Sequence, residues 1–260
     1  MHPVSVHKHK IPESINIVEA KPLFYKKPVP LNKEQHGDLY IDSVRDFSHT
    51  SETNSIYIAA VEFFKAVKDY TIVFGKNSEG NVFPAVLLGL TNNKNHYLND
   101  KGEWTVDYIP AYIRRYPFIL ATSPGEVGTY AVCIDESYVG LNRDRKGEAL
   151  YDEKGDKTET LKTAIEFLKE YQKHIQTTSD FCKILKDANL LEPMQARVKI
   201  DGEERSLGGF LCVNRELLKG LRPAKLAEMM LAGHLELIYA HLFSIANLNR
   251  LIDRQDLKPE

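Results

Sequence analysis

No stretch of this sequence reaches the ~18 uninterrupted apolar residues that a membrane-spanning helix needs, so insertion into a bilayer is not expected. The first residues, "MHPVSVHKHKIPESINIVEAKPLF", lack the apolar core and small-residue cleavage site of a secretory signal. The expectation is therefore a cytoplasmic chain, with a dedicated exporter or peripheral envelope association as the other routes. Charge of one sign is also missing: 34 Lys and Arg stand against 36 Asp and Glu, for a net charge of −2. Such balance excludes broad electrostatic attraction to nucleic acid or an anionic membrane. The short basic stretches at 8–10 and 26–27 read as solvated surface.

Cysteine is scarce. Cys133, Cys182 and Cys212 are widely spaced and odd in number, each in an apolar context ("YAVCID", "DFCKIL", "GGFLCVN"). That excludes a disulfide framework and predicts buried thiols. The standard chemical motifs are absent too. There is no Gly-rich phosphate loop with Lys-Ser/Thr, no GxGxxG after a strand, no GxSxG, no HExxH and no CxxC. No cofactor is expected. The nine histidines offer no metal site either. His2, His7 and His9 lie in a segment without a preorganised frame. His234 and His241 share a helix face but stand ~10 Å apart along the axis, too far to bind one ion. A histidine on an apolar helix face reads as a hydrogen-bonded core residue.

What is present is ordinary globular material: 43% hydrophobic and 27% charged over 260 residues, enough for a sizeable core. Residues 1–30 carry Pro3, Pro12, Pro22, Pro28 and Pro30 and read as an extended arm, with "SINIV" as one strand candidate. Residues 31–255 read as a single domain. "SIYIAAVEFFKAVKDY" places Ile56, Ala60, Phe63, Phe64 and Val67 at helical spacing and predicts an amphipathic helix capped by Ser55. "YTIVFG" and "FPAVLLGL" predict a hairpin across "KNSEGN", and "TYAVCID" a further strand. "LNRDRKGEALYDEKGDK" reads as an exposed loop with two glycine turns.

From Thr158 the periodicity turns helical: Leu161, Ile165, Leu168, Tyr171 and Ile175 mark one helix. Ser179 predicts the cap of a second that Pro193 ends. "MQARVKIDGEERSLGGFLCVN" alternates around "DGEE" and predicts a hairpin. Strongly apolar helices close the chain, with Pro223 in a first turn and Gly233 as a separator. Strict β–α alternation is absent. The expected class is therefore α+β, a mainly antiparallel sheet with the C-terminal helices packed on it.

"DYIPAYIRRYPF" puts Arg114 and Arg115 among tyrosines, isoleucines and prolines. Pro110 opens a helical turn and Pro117 disfavours helix at Tyr116, leaving room for about two turns. Consecutive arginines there point about 100° apart, so one is expected to structure the protein while the other faces a cleft. An arginine among aromatics stacks on their rings and presents a planar fork to a carboxylate or phosphate. The alternative is a structural Arg-Glu or Arg-carbonyl network. Glu62, within "AAVEFF", is either its buried partner or a solvated residue beside Lys65.

These segments carry a resemblance. "PLNKEQHGDL", "AAVEFFKAVKDYTIVF", "PAVLLGL", "KGEWTVDYIPAYIRRYPF", "CIDE", "GEALYDEKG" and "GHLELIYAHLFSIANLNRL" resemble, in order, the bacterial SapC-like family over residues 25–252. Thr71, where the pattern has proline, and "NHYL" depart from it. The resemblance implies association with a paracrystalline surface layer. It implies no catalytic residues, and it is not to the peptide-transporter permease that shares the name. Three readings follow. The first is a non-catalytic accessory protein of the cell envelope that binds a protein or peptide, with Arg114, Arg115, Tyr112, Tyr116, Trp104 and Glu62 lining the site. The second is an enzyme on a peptide or small acid, with Glu62 as general base and an arginine clamp. The third is a structural subunit whose last apolar helix forms a homo-oligomer interface.

Overall fold

The computed structural model describes residues 16–17, 22–91, 93–122, 130–194, 196–200 and 203–256. His2, His7 and His9, the basic stretch at 8–10 and most of the arm lie outside them, as does the tip of the "DGEE" turn. In chain order come β1 (Asn16–Ile17), β2 (Pro28–Pro30), α1 (Lys33–His36), β3 (Tyr40–Ile41), β4 (Ser55–Tyr57) and α2 (Phe63–Ala66). Then follow β5 (Ile72–Lys76), β6 (Val82–Leu87), α3 (Ala111–Arg114), β7 (Phe118–Thr122), β8 (Tyr130–Asp135), β9 (Leu141–Asn142) and β10 (Glu148–Ala149). The rest is α4 (Glu159–Asp187), β11 (Leu191–Pro193), β12 (Ala196–Ile200), β13 (Glu203–Leu207), β14 (Leu211–Val213), α5 (Arg215–Lys219), α6 (Pro223–Leu231), α7 (His234–Ser244) and α8 (Asn247–Asp256). With 38% helix, 20% strand and every strand pair antiparallel, the fold is α+β.

The chain divides into two compact units. The first takes residues 1–43 and 116–168. Its four-stranded sheet has the order β1-β7-β8-β2, and a smaller one the order β10-β3-β9. Strand alternation sends Phe118 and Leu120 into a core with Leu39, Ile134, Leu150, Tyr151, Leu161 and Leu168. Ile119, Ala121 and Cys133 pack on the other face with Tyr25. The segment read as an exposed loop from Leu141 is more than that. It holds β9 and β10, and Leu150 and Tyr151 are buried.

The second unit takes residues 44–115 and 169–260. Its sheet has the order β11-β14-β5-β6-β4. Ile72, Val73 and Phe74 of β5 are consecutive and fully buried, so both faces of that strand are covered. α7 clasps it through the backbone. The Ile72 N–H donates to Ser244 Oγ (2.9 Å), and the ring of His241 lies between two strands. Its Nε2 accepts the Val213 N–H (3.0 Å), which fixes the proton on Nδ1 for donation to the Ile72 carbonyl (2.9 Å). The β14–β5 ladder pairs Leu211 with Phe74, so Val213 and Ile72 would face each other next. The imidazole fills that missing rung. Burial lowers its pKa to about 4, and it is the core histidine that an apolar helix face implies.

Two helix expectations are corrected. Residues 55–57 are strand, because Ser55, Ile56 and Tyr57 pair with Leu87, Val86 and Ala85. Helix begins only at Ala60, as one 3-10 turn followed by α2. Sheet pairing overrides the helical spacing. Conversely, the two helices expected on either side of Ser179 are one, α4. The hydroxyls of Thr177 and Thr178 donate back to the Lys173 and His174 carbonyls, so this polar run is satisfied inside the helix. Cys133 and Cys182 are buried, their thiols pushed up to about 11 and about 12 by burial, whereas Cys212 is only half-buried.

Candidate functional site

Pro110 cannot donate a backbone hydrogen bond and opens a single helical turn, α3, rather than two. The first free donor of that turn, the Ala111 N–H, reaches Glu62 Oε1 at 2.7 Å. The Tyr108 hydroxyl donates to the same oxygen at 2.6 Å. Glu62 Oε2 accepts the Ala59 N–H at 2.9 Å, while the Glu62 N–H returns a bond to the Ala59 carbonyl. At 4% exposure Glu62 is not on a solvated face, and its partners are backbone and a tyrosine rather than an arginine. A buried carboxyl group with three donors on its oxygens ties α3 to the 60–62 turn. Both of its oxygens are engaged by the fold. The Tyr108 phenol is pushed up by burial and by the Glu62 charge, which keeps it protonated as a donor.

The two arginines diverge. Arg115 is 6% exposed, its guanidinium carbon 4.0 Å from the Tyr112 ring centroid and 5.4 Å from that of Tyr171 on α4. The planar cation between two rings fastens α3 to α4. Arg114 is exposed, donates from Nε to the Ile109 carbonyl (2.9 Å) and lies 5.9 Å from the Tyr108 ring. Trp104 joins from one step further away. Its Nε1 donates to the Tyr70 hydroxyl (2.6 Å), which in turn donates to the Tyr108 carbonyl. Tyr97 stacks on Trp104 at 6.1 Å, and Arg254 caps Tyr97 at 4.8 Å.

Glu62, Trp104, Tyr112, Arg114 and Arg115 thus belong to one network of the second unit. Tyr116 belongs to the first unit, where its ring meets Tyr25 (5.3 Å) and Tyr138 (5.4 Å) edge-on. Among the described residues no group of three or more His, Cys, Asp or Glu is placed to hold a metal ion.

Two features of the second unit lie apart from the arginine block. The first is an open cavity of about 790 Å³ lined by Glu192, Met194, Cys212, Arg215, Leu242 and Ile245 with their neighbours. No residue of the arginine block lines it. The second is an apolar surface on α6 and α7. Met230 and Leu231 end α6, and Leu231 is 90% exposed. Gly233 then adopts a left-handed φ of 74° and turns the chain into α7. The outer face of α7 carries Tyr239 and Phe243, whose rings lie 6.4 Å apart, with Phe243 67% exposed. α2 packs against α7 and bears the exposed Phe64. The sequence held a signal for this face: the last helices contain more large apolar residues than one buried stripe accommodates. No helix among the described residues is long and apolar enough by itself to cross a membrane.

The SapC family model matches this chain over residues 31–251. No curated protein and no solved structure matches it.

Proposed function

The chain belongs to the SapC family, and from that premise we propose that it is a non-catalytic accessory protein of a bacterial cell envelope or surface layer, docking a protein partner through the outer face of α6 and α7. The observation that carries this reading is the exposure of Met230 and Leu231 at the end of α6 and of the paired rings of Tyr239 and Phe243 on α7. Aromatic residues and methionine are the types enriched at the cores of protein interfaces, and large apolar side chains held in water on neighbouring helices favour a partner that covers them. Glu236, exposed three residues before Tyr239 on α7, supplies a polar neighbour of the kind found on interface rims. The partner is expected to offer an apolar segment with a basic residue that can meet Glu236.

The geometry supports catalysis less well. Glu62, the expected base, has both oxygens occupied by fold-internal donors. The reading keeps the chain on the cytoplasmic side or peripheral to the envelope. The test compares wild type with a Tyr239→Ser/Phe243→Ser variant as baits in cross-linked cells of the source bacterium. One defined protein recovered by wild type and lost by an equally stable variant is the expected result. Recovery of only a second copy of this chain would turn the face into a self-assembly interface. Equal recovery by both baits would overturn the reading.

A further inference from the structure

The cavity beside β14 has a composition that selects a ligand. Its floor is apolar: Met194, Val213, Leu242, Ile245 and Leu248. Its rim is polar: Glu192, Asn214, Arg215 and Glu216. At about 790 Å³ it lies inside the ~300–1,000 Å³ range of small-molecule sites. The rim groups differ in how they are occupied. Asn214 caps α5, its Oδ1 accepting the N–H groups of Glu216 and Leu217. Its Nδ2 donates to Glu192 Oε2. Glu216 pairs with Lys219 at 2.8 Å. Arg215 alone makes no hydrogen bond or ion pair among the described residues. A guanidinium with five unengaged N–H donors at the edge of an apolar hollow fits one oxyanion group bidentately.

We infer that this cavity binds a monocarboxylate with an apolar tail, the carboxylate on Arg215 and the tail over Met194, Leu242, Ile245 and Leu248. Glu192 sets the charge of the head group. It places a carboxylate on the same rim with no cationic partner among the described residues, which disfavours a dianion such as a phosphate monoester. A cationic head would meet Arg215. Among the described residues the floor holds aliphatic and thioether side chains and no aromatic ring, which suits a flexible chain better than a planar ring system. Two sources carry this chemistry, a medium-chain acyl acid and the C-terminal carboxylate of a peptide ending in an aliphatic residue. The site is separate from the α6–α7 face and does not depend on it.

Cys212 provides an internal reporter, since it lines the cavity while Cys133 and Cys182 are buried. Burial and the Glu192 charge raise its thiol, so labelling is run at alkaline pH. The experiment titrates the full chain with sodium decanoate below its micelle-forming range, by calorimetry and by protection of Cys212 from maleimide. Decylamine and decyl phosphate are the head-group arms. A leucine-ended peptide as free acid and as amide is the source arm. Decanoate is expected to saturate one site and protect Cys212, with decyl phosphate weaker and decylamine without effect. Arg215→Gln is expected to weaken decanoate about tenfold, the scale of a lost charge-assisted pair. Ile245→Trp fills the cavity and is expected to abolish binding, while Phe243→Ser leaves it unchanged. Tighter binding of the peptide acid than of decanoate assigns the carboxylate to a chain end, and the reverse assigns it to an acyl acid. No saturable decanoate binding, an unaltered Arg215→Gln titration, equal binding of decylamine, or loss of binding in Phe243→Ser would each overturn the inference.

Discussion

Arg115 and Arg215 are the same side chain in opposite circumstances. Arg115 is buried between the rings of Tyr112 and Tyr171, next to a carboxylate whose oxygens are all engaged. Arg215 stands on the rim of an open cavity with its donors unengaged among the described residues. In the first region the Glu62 carboxylate takes three fold-internal donors and the guanidinium is held by ring faces. The second has spare hydrogen-bonding capacity beside empty volume, on a unit that also exposes large apolar residues. Arg115, in an aromatic sequence motif, fastens α3 to α4, and the proposed ligand site lies where the motif is plainer. "LCVNRELL" draws no attention in the sequence, whereas "YIPAYIRRYPF" does.

The comparison breaks first at Glu62. Glu62→Ala leaves the Ala59 and Ala111 N–H groups and the Tyr108 hydroxyl without an acceptor in a buried site. We expect a loss of about 4 kcal/mol in urea unfolding, from ~1–3 kcal/mol per stranded donor with partial relaxation. A loss under ~1 kcal/mol would mean that water reaches the carboxylate and that the block is not architecture. Next in size is acid. The His241 pKa is depressed to about 4 from an ordinary 6.5, so the unfolded chain takes up a proton before the folded one does. Stability is then fully present above pH 6.5 and falls as pH drops toward 4, by about 3 kcal/mol in total. Unfolding midpoints across that window check it, and His241→Gln should be less stable at neutral pH and flatter in pH.

Smaller still is Thr71. Its Oγ1 is buried with no hydrogen-bond partner among the described residues, so Thr71→Val should stabilise by about 1 kcal/mol by removing an unpaired hydroxyl at equal shape. A thermal shift in the opposite direction would mean that the hydroxyl has a partner. Arg114→Ala should change stability least, by under ~0.5 kcal/mol, because the side chain is exposed. A large loss there would erase the distinction between the inward and outward arginines.

The α+β class, the β5–β6 hairpin, the divergence of Arg114 and Arg115 around a helical turn and the core role of His241 were legible in the sequence, because each rests on local spacing or turn chemistry. The strand at Ser55–Tyr57 was not, since its pairing with β6 is nonlocal and its residues also fit a helical stripe. The unbroken α4 was hidden because Ser179 is a good cap in isolation, and only the back-bonding of Thr177 and Thr178 shows the helix running through. Glu62 was recognised as unusual, but its partners are backbone N–H groups, which no residue pattern displays. The cavity was illegible for a related reason. Its walls come from β11, β14, α5, α7 and α8, and only the assembled fold brings them together.

The most direct measurement is photocrosslinking in the source bacterium with a photoreactive residue at position 243 and, separately, at position 114. Both positions are exposed, so access is matched. An adduct with a defined protein at 243 and none at 114 is the predicted result. An adduct at 114 with none at 243 would return binding to the arginine block and contradict the account.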